Sequence, residues 1–239
     1  MPFNHFDRIR IVNLPHRKDR LLEMRDQLAK VGLLDDPRVE FFEALSPQDR
    51  GLFTCKGSNG CFQSHFTILE EAAEAGQSVL ILEDDCDFVL PQAAEFALPD
   101  DCDVFYGGYV ASDPANPHES DIIGSHFMGF SKRAAKLAVE YLSGFVQPEF
   151  KADPRAVAEQ GYDPAVRPGI DGAYVWFRRA HPEIVTVFSH LGVQRQSRTD
   201  IGDQRWFDRT PGVAELAGLA RRFLRCFRSG NVQKGAMFR

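Results

Sequence analysis

The chain of 239 residues has no apolar run near the ~20 residues that a membrane-crossing helix needs. Residues 1–10 lack the apolar core of a signal peptide. Positive charge is in deficit as well: 28 Lys and Arg face 34 Asp and Glu, for a formal net charge of −6. That balance gives no footprint for nucleic acid. Cysteine is sparse and odd in number. Cys55, Cys61, Cys86, Cys102 and Cys226 lack the short paired spacings of a zinc site, so reduced thiols in a cytoplasmic protein are expected. No internal repeat is visible, which excludes a solenoid. The length that remains suits one α/β domain of generous size, or one domain plus a tail.

What the chain does contain is an apolar run that ends in acid. Val79-Leu80-Ile81-Leu82 passes directly into Glu83-Asp84-Asp85-Cys86-Asp87. The apolar half reads as a strand buried on both faces, and the acidic half as the place where it meets solvent. Clustered like charges repel, so they call for a cation or for perturbed protonation. With a two-residue period, Glu83, Asp85 and Asp87 share one side and Asp84 faces the other. Oxygen ligands of this kind suit Mg²⁺ or Mn²⁺, which in turn suit a diphosphate.

Around that run, strand and helix patterns alternate, the signature of a layered α/β sheet. Ile9–Leu14 reads as an opening strand that stops at Pro15. Asp19–Val31 has a helical period ended by Gly32. Val39–Phe42 is a short strand, Gly57–Gly60 a flexible loop, and Gln63–Ala75 a helix ended by Gly76. Asp103–Tyr106 is a strand before Gly107-Gly108, and residues 111–121 form a mobile loop rich in Pro, Ser, Asp and Asn. Ile122–Phe130 is extended and Lys132–Leu142 helical. Gln147–Gly169 is a second long loop of the kind that covers binding sites. Ile170–Phe177, an apolar strand opened by Asp171, and Ile184–Gln196 close the domain. The domain is therefore placed at residues 1–210, with a tail at 211–239.

The tail differs in character. From Leu216 to Arg239 there is no acid, while Arg221, Arg222, Arg225, Arg228, Lys234 and Arg239 are basic. Leu216, Leu219, Phe223, Leu224 and Phe227 fall near helical spacing. A basic amphipathic helix of this kind either lies on an anionic membrane surface or docks on the domain with its arginines in water. The expected location is accordingly the cytoplasm, or the cytoplasmic face of the inner membrane.

Four segments together resemble glycosyltransferase family 25, which includes lipopolysaccharide β-galactosyltransferases and collagen galactosyltransferases. Ile11-Val12-Asn13-Leu14 with Arg17, Asp19 and Arg20 is similar to the family's opening N-L-x-x-R-x-D-R run. Gly60-Cys61-Phe62-Gln63-Ser64-His65 is similar to G-C-x-x-S-H, and Leu82-Glu83-Asp84-Asp85 to L-E-D-D. The fourth comprises Gly124-Ser125-His126, Gly169-Ile170-Asp171, and Gln194 to Ile201. The resemblance covers about Ile9 to Ile201. It departs where Gly57-Ser58-Asn59-Gly60-Cys61 replaces the usual Gly-Glu-Ile-Gly-Cys, and where Gly124-Ser125-His126-Phe127-Met128 replaces Gly-Thr-His-Ala-Tyr.

The resemblance implies a GT-A-like fold, a single Rossmann-like layered domain on a mixed central sheet. It further implies inverting, metal-dependent transfer of a hexose, galactose or glucose, from a UDP-sugar to a hydroxyl of a glycan or lipid-linked acceptor such as lipopolysaccharide. Mn²⁺ or Mg²⁺ would sit at Glu83, Asp85 and Asp87, with His190 as a late nitrogen ligand. Asp171 is the candidate general base, since a sugar hydroxyl is a poor nucleophile. Asn13, Leu14, Arg17, Arg20, Ser64, His65, Asp84, His126 and Gln194 are the candidate nucleotide-sugar contacts. Of these, Asn13 and Arg17 lie at the carboxyl end of the first strand, where open α/β sheets bind ligands. Ser64 and His65 are expected just inside a helix start, where backbone donors favour anions.

Two rival readings remain. Asp85-Cys86-Asp87-Phe88-Val89-Leu90 resembles the D-x-D-x-[TV]-L nucleophile motif of haloacid-dehalogenase phosphatases, with Gly202-Asp203 and Asp208 as the late acids. Against it, Glu83 and Asp84 interrupt the strand ahead of the nucleophile. A non-catalytic nucleotide-sugar-binding module is the other. A sugar-nucleotide pyrophosphorylase fits poorly, because Pro15-His16-Arg17-Lys18 contains no glycine.

Overall fold

The computed structural model describes residues 2–159 and 162–195. The tail at 211–239, Thr199-Asp200-Ile201, the Gly202 and Asp208 segment and Cys226 lie outside them.

The central sheet has six strands: β1 (Arg8–Asn13), β2 (Val39–Glu43), β3 (Val79–Glu83), β5 (Val104–Tyr106), β8 (Phe127–Phe130) and β9 (Thr186–Phe188). Their order across the sheet is β2-β1-β3-β8-β5-β9. β1 runs parallel to both β2 and β3, β8 runs antiparallel to β3 and β5, and β9 runs parallel to β5. The chain is thus an α/β domain on a mixed sheet, as expected. Two short ribbons flank it. One joins β4 (Cys86–Phe88) to β10 (Gly192–Gln194), and the other joins β6 (Val110–Ala111) to β7 (Ile122–Ile123).

The two-residue period of the strands divides the core into layers. Val79 and Ile81 face one side, against Ile68, Leu69 and Ala72 of α2 (Lys56–Glu74), Ala138 and Leu142 of α4 (Lys132–Phe145) and Tyr174 and Phe177 of α6 (Ile170–Ala180). Leu80 and Leu82 face the other, against Met24 and Leu28 of α1 (Lys18–Lys30) and Ala93 of α3 (Gln92–Glu95). All four of these β3 side chains are fully buried. At roughly 1.5–3 kcal/mol each, they anchor the strand that carries the acids.

Two local expectations are corrected. The glycine-containing run Gly57–Gly60 is no loop: α2 starts at Lys56, with the Cys55 side chain accepting from the Ser58 amide. Gly60 is required there by contact rather than flexibility, because a Cβ would lie 2.4 Å from the Leu45 carbonyl oxygen. Asp171 does not open a strand, because Ile170–Ala180 is helical. A short apolar run fits a buried helix as well as a buried strand, and here the helix buries Ile170, Ala173, Tyr174 and Phe177. The 111–121 segment is a loop of turns between β6 and β7, as expected. Ser120 Oγ lies 2.9 Å from the Asp113 carbonyl and 2.8 Å from that of Asn116, and the β6–β7 ribbon closes its base. The second loop carries a helical turn, α5 (Pro154–Val157), capped by Asp153.

Candidate active site

The order β2-β1-β3 means that the chain steps from β1 to β2 and then back across β1 to β3. Ligands in open α/β sheets bind at the carboxyl ends of strands beside such a reversal. Here those ends are Asn13 and Glu83, and the residues next to them in the chain build the site.

Beyond Glu83 the chain makes a two-residue turn at Asp84-Asp85 before β4. The expected alternation of the carboxylates therefore fails, because the turn breaks the strand period. Asp84 Oδ2 accepts from Asn13 Nδ2 at 2.7 Å. Arg20, buried on α1, reaches Asp84 at 2.8 Å and Asp85 at 3.3 Å. Asp84 and Asp85 thus share one guanidinium rather than facing apart. Burial raises the Asp84 pKa, against the hydrogen bond from Asn13 and the Arg20 charge.

Glu83 points elsewhere. Its Oε1 accepts from Ser125 Oγ at 2.7 Å and lies 3.6 Å from His65 Nε2 and 4.0 Å from Cys61 Sγ. His65 is fully buried, with Nδ1 3.0 Å from the Tyr174 hydroxyl. Burial works to raise the Glu83 pKa, but His65, Ser125 and His126 outweigh it and hold the group ionised. Cys61, His65 and Glu83 offer ligating atoms within 4.8 Å of one another, and this group of possible metal ligands among the described residues includes none of Asp85, Asp87 and His190. The Cys61 thiol is raised well above the ordinary range by burial and by the Glu83 and Asp171 charges, so it stays protonated.

Asp85 is the least satisfied member. It is 5 % exposed and its Oδ1 is buried without a hydrogen-bond partner. Its Oδ2 meets Arg20 and, at 3.5 Å, Gln194 Nε2. Desolvation, then the neighbouring Glu83 charge, pushes its pKa up, and Arg20 opposes them. An orphaned buried carboxylate oxygen beside a held negative charge is the donor set a divalent cation fits. Asp87 is differently placed. Arg195 binds both its oxygens and also reaches Glu23, while the Arg195 amide donates to the Asp85 carbonyl at 2.7 Å.

Asp171 occupies the first turn of α6. Its Oδ1 accepts from the Gly172 amide at 2.9 Å. Desolvation, reinforced by the Glu83 charge, raises its pKa to about 6 against the backbone hydrogen bonds from Gly172 and Gly124. His126 is buried beside Gly108 and Gly124, where a Cβ on Gly108 would lie 2.3 Å from its Nε2. Burial lowers its pKa, against the Glu83 charge.

Of the remaining candidates, His65 belongs to this cluster, while Leu14, Ser64 and His190 make other contacts. Leu14 and Arg17 form the turn between β1 and α1, with the Arg17 amide donating to the Leu14 carbonyl at 2.9 Å, and Arg17 pairs with Asp19 at 2.8 Å. Ser64 and His65 stand more than two turns into α2, so no unpaired helix-start amides surround them. Ser64 Oγ instead donates to the Gly60 carbonyl and accepts from the Leu45 amide. His190 is exposed and stacks on Tyr109 with centroids 4.5 Å apart. Sequence reasoning did not single out Cys61, Ser125, Tyr174 or Arg195 for the site. Cys61 was in reach, since it lies four residues before His65 on one helix face. Tyr174 was hidden because α6 read as a strand.

The described residues thus define an α/β domain with a buried carboxylate site at the carboxyl end of its parallel strands, and no described helix is long and apolar enough to cross a membrane. No family model matches the chain, and no curated protein matches it by sequence. Solved structures do match in shape. One is a Drosophila β1,4-galactosyltransferase 7 mutant in complex with manganese, UDP-Gal and xylobiose, at TM-score 0.48 and 8% identity, covering 86% of this chain and 78% of that one. Another is a glycosyltransferase involved in glycosylation of the major capsid of PBCV-1, at TM-score 0.43 and 13% identity, covering 88% and 99%. Likeness at this level defines neither substrate nor activity.

Proposed function

We propose that the chain is a GT-A-type, metal-dependent inverting glycosyltransferase, similar to family 25, that moves a hexose from a UDP-sugar to a hydroxyl of a glycan acceptor. The observation that carries this reading is the arrangement of three carboxylates in unlike states: Glu83 held ionised, with Asp85 and Asp171 both raised by burial and by its charge. Carboxylates whose environments push them apart mark an acid–base and charge-binding site. The succession of family-like segments in the sequence supplies the substrate class.

Asp85 and Glu83 are the residues that would hold Mn²⁺ or Mg²⁺, and the cation would offset the charge that develops on a departing diphosphate. Asp87, already gripped by Arg195, fixes the backbone at 85–87 in this reading. Asn13 and Arg20 hold Asp84 and orient the turn that faces the nucleotide. Ser125 and His65 keep Glu83 charged. Asp171 takes the proton from the acceptor hydroxyl as that oxygen attacks the anomeric carbon and UDP leaves. A carboxylate with a pKa near 6 is a better base near neutrality than an ordinary aspartate. His190 stacks on Tyr109 and is given no part in holding the cation.

Calorimetric titration of UDP with and without Mn²⁺ tests the reading before any acceptor is known. Mn²⁺ is expected to tighten UDP binding at least tenfold, and Asp85→Asn to abolish that gain. UDP affinity indifferent to the metal contradicts the proposal.

A further inference from the structure

On α2, Cys61 and His65 stand four residues apart, the spacing that puts two side chains on one face of a helix. That face meets the end of β3, where Glu83 lies. The Cys61 thiol, His65 Nε2 and a Glu83 carboxylate oxygen come within 4.8 Å of one another. Around a tetrahedral zinc ion, with bonds of about 2.0–2.3 Å, such atoms stand about 3.4–3.6 Å apart. Glu83 Oε1 is 3.6 Å from Nε2 and 4.0 Å from Sγ, which is close to that spacing already.

As a hydrogen-bonded group the three atoms are poorly matched. His65 is fully buried and its Nε2 has no hydrogen-bond partner, because 3.6 Å to Glu83 is too long for one. The Cys61 thiol is at the far limit of its reach to the same oxygen. Nε2 faces no open cavity; its neighbours are the other two ligand atoms. Cys61 and Glu83 are each partly exposed, which gives an ion a way in. Outer partners hold two of the three side chains. His65 Nδ1 lies 3.0 Å from the Tyr174 hydroxyl, which fixes the ring with Nε2 toward Glu83, and Ser125 Oγ donates to Glu83 at 2.7 Å. Metal-bound histidines and carboxylates are oriented by partners of this kind.

We propose that Cys61, His65 and Glu83 form a binding site for a thiophilic divalent cation such as Zn²⁺. Sulfur and imidazole select such an ion over Mg²⁺ or Mn²⁺, which prefer oxygen. Binding replaces the S–H bond of Cys61 by an S–Zn bond, and the proton passes to solvent. The thiolate and the Glu83 carboxylate together balance the charge of the ion, and the fourth position of a tetrahedral ion stays open to water. The set shares Glu83 with the pair assigned to Mn²⁺ but takes Cys61 and His65 in place of Asp85. Zn²⁺ therefore competes with Mn²⁺ for one carboxylate, a consequence that rests on the transferase reading, whereas the site itself does not.

Titration of the chelator-stripped full chain with Co²⁺, a spectroscopic stand-in for Zn²⁺, tests the site. A single equivalent is expected to bring up a thiolate-to-metal charge-transfer band, which added Zn²⁺ removes. Cys61→Ser is expected to abolish the band, and Asp85→Asn to leave it. Should Cys61→Ser fail to fold, Glu83→Gln decides. Its Co²⁺ affinity is expected to fall at least about tenfold, the loss that removal of even an outer partner brings. The proposal is overturned by the absence of a saturable band, by a band that survives in Cys61→Ser, or by unchanged affinity in Glu83→Gln. Loss of the band in folded Asp85→Asn overturns it too, and puts the cation at Asp85 instead. No arm uses UDP or sugar transfer, so failure of this site and failure of the transferase reading are told apart.

Discussion

Asp171 carries opposing demands on one carboxyl group. Its pKa of about 6 lies above the ordinary 3.8, so between those values the folded chain binds more protons than the unfolded one. Stability from this group is therefore full below about pH 4 and is lost as pH rises through about 6. Asp171→Asn is expected to melt higher than wild type at about pH 8, with the gain vanishing near pH 4, as thermal denaturation across pH would show. The same substitution should abolish transfer, and the wild-type rate should fall on the acid side of about pH 6 as the base is protonated. A variant that is more stable yet inactive is what a functional carboxylate gives, whereas a purely structural helix-start aspartate would lose stability. At this scale the sequence revealed the acids but not their partners. Glu83, Asp85 and Asp171 were legible from a charge run and a motif. That Ser125 and His65 hold Glu83, and that Arg195 takes Asp87, depends on contacts 42, 18 and 108 positions apart, which no local pattern encodes.

Among the elements, α2 and α6 position the site and are also where sequence reasoning failed. Gly57, Ser58, Asn59 and Gly60 have weak helix propensity, yet α2 runs through all four, with Ser58, Asn59 and Gly60 buried and Gly60 against the Leu45 carbonyl. Gly60→Ala is expected to lower stability by about 1–3 kcal/mol, because a Cβ would meet the Leu45 carbonyl oxygen at 2.4 Å. Denaturant unfolding would measure it, and a neutral result would mean that the β2–α2 connection yields freely. A milder effect, about 1 kcal/mol, is expected for Ser131→Ala in the same measurement. Ser131 caps α4 by accepting from the Ala134 amide and also meets Asp103 at 2.9 Å. For α6 the failure was one of period. Its apolar residues are continuous from Ala173 to Phe177, so helix and strand look alike until the neighbouring faces of α2 and α4 are known.

The whole molecule was the most legible scale. Strands alternating with helical periods give a layered α/β sheet, and the opening βαβ units follow from the β1, α1 and β2 patterns. The antiparallel insertion of β8 between β3 and β5 was not legible, since Ile122–Phe130 read as one extended segment without a direction. That insertion matters, because it carries Ser125 and His126 to the end of β3, where Glu83 lies. If the acidic end of β3 serves nucleotide-sugar transfer, UDP should be released from UDP-hexoses in a way that depends on Asp85 and on a divalent cation. The decisive assay is a panel of UDP-hexoses at graded Mn²⁺, with wild type beside Asp85→Asn. Release from one donor is expected, with its loss on chelation and a rate at least about a hundredfold lower in the variant. Silence across the panel, with Mg²⁺-dependent hydrolysis of a simple phosphate ester in its place, would contradict the transferase and favour a phosphatase built on Asp85.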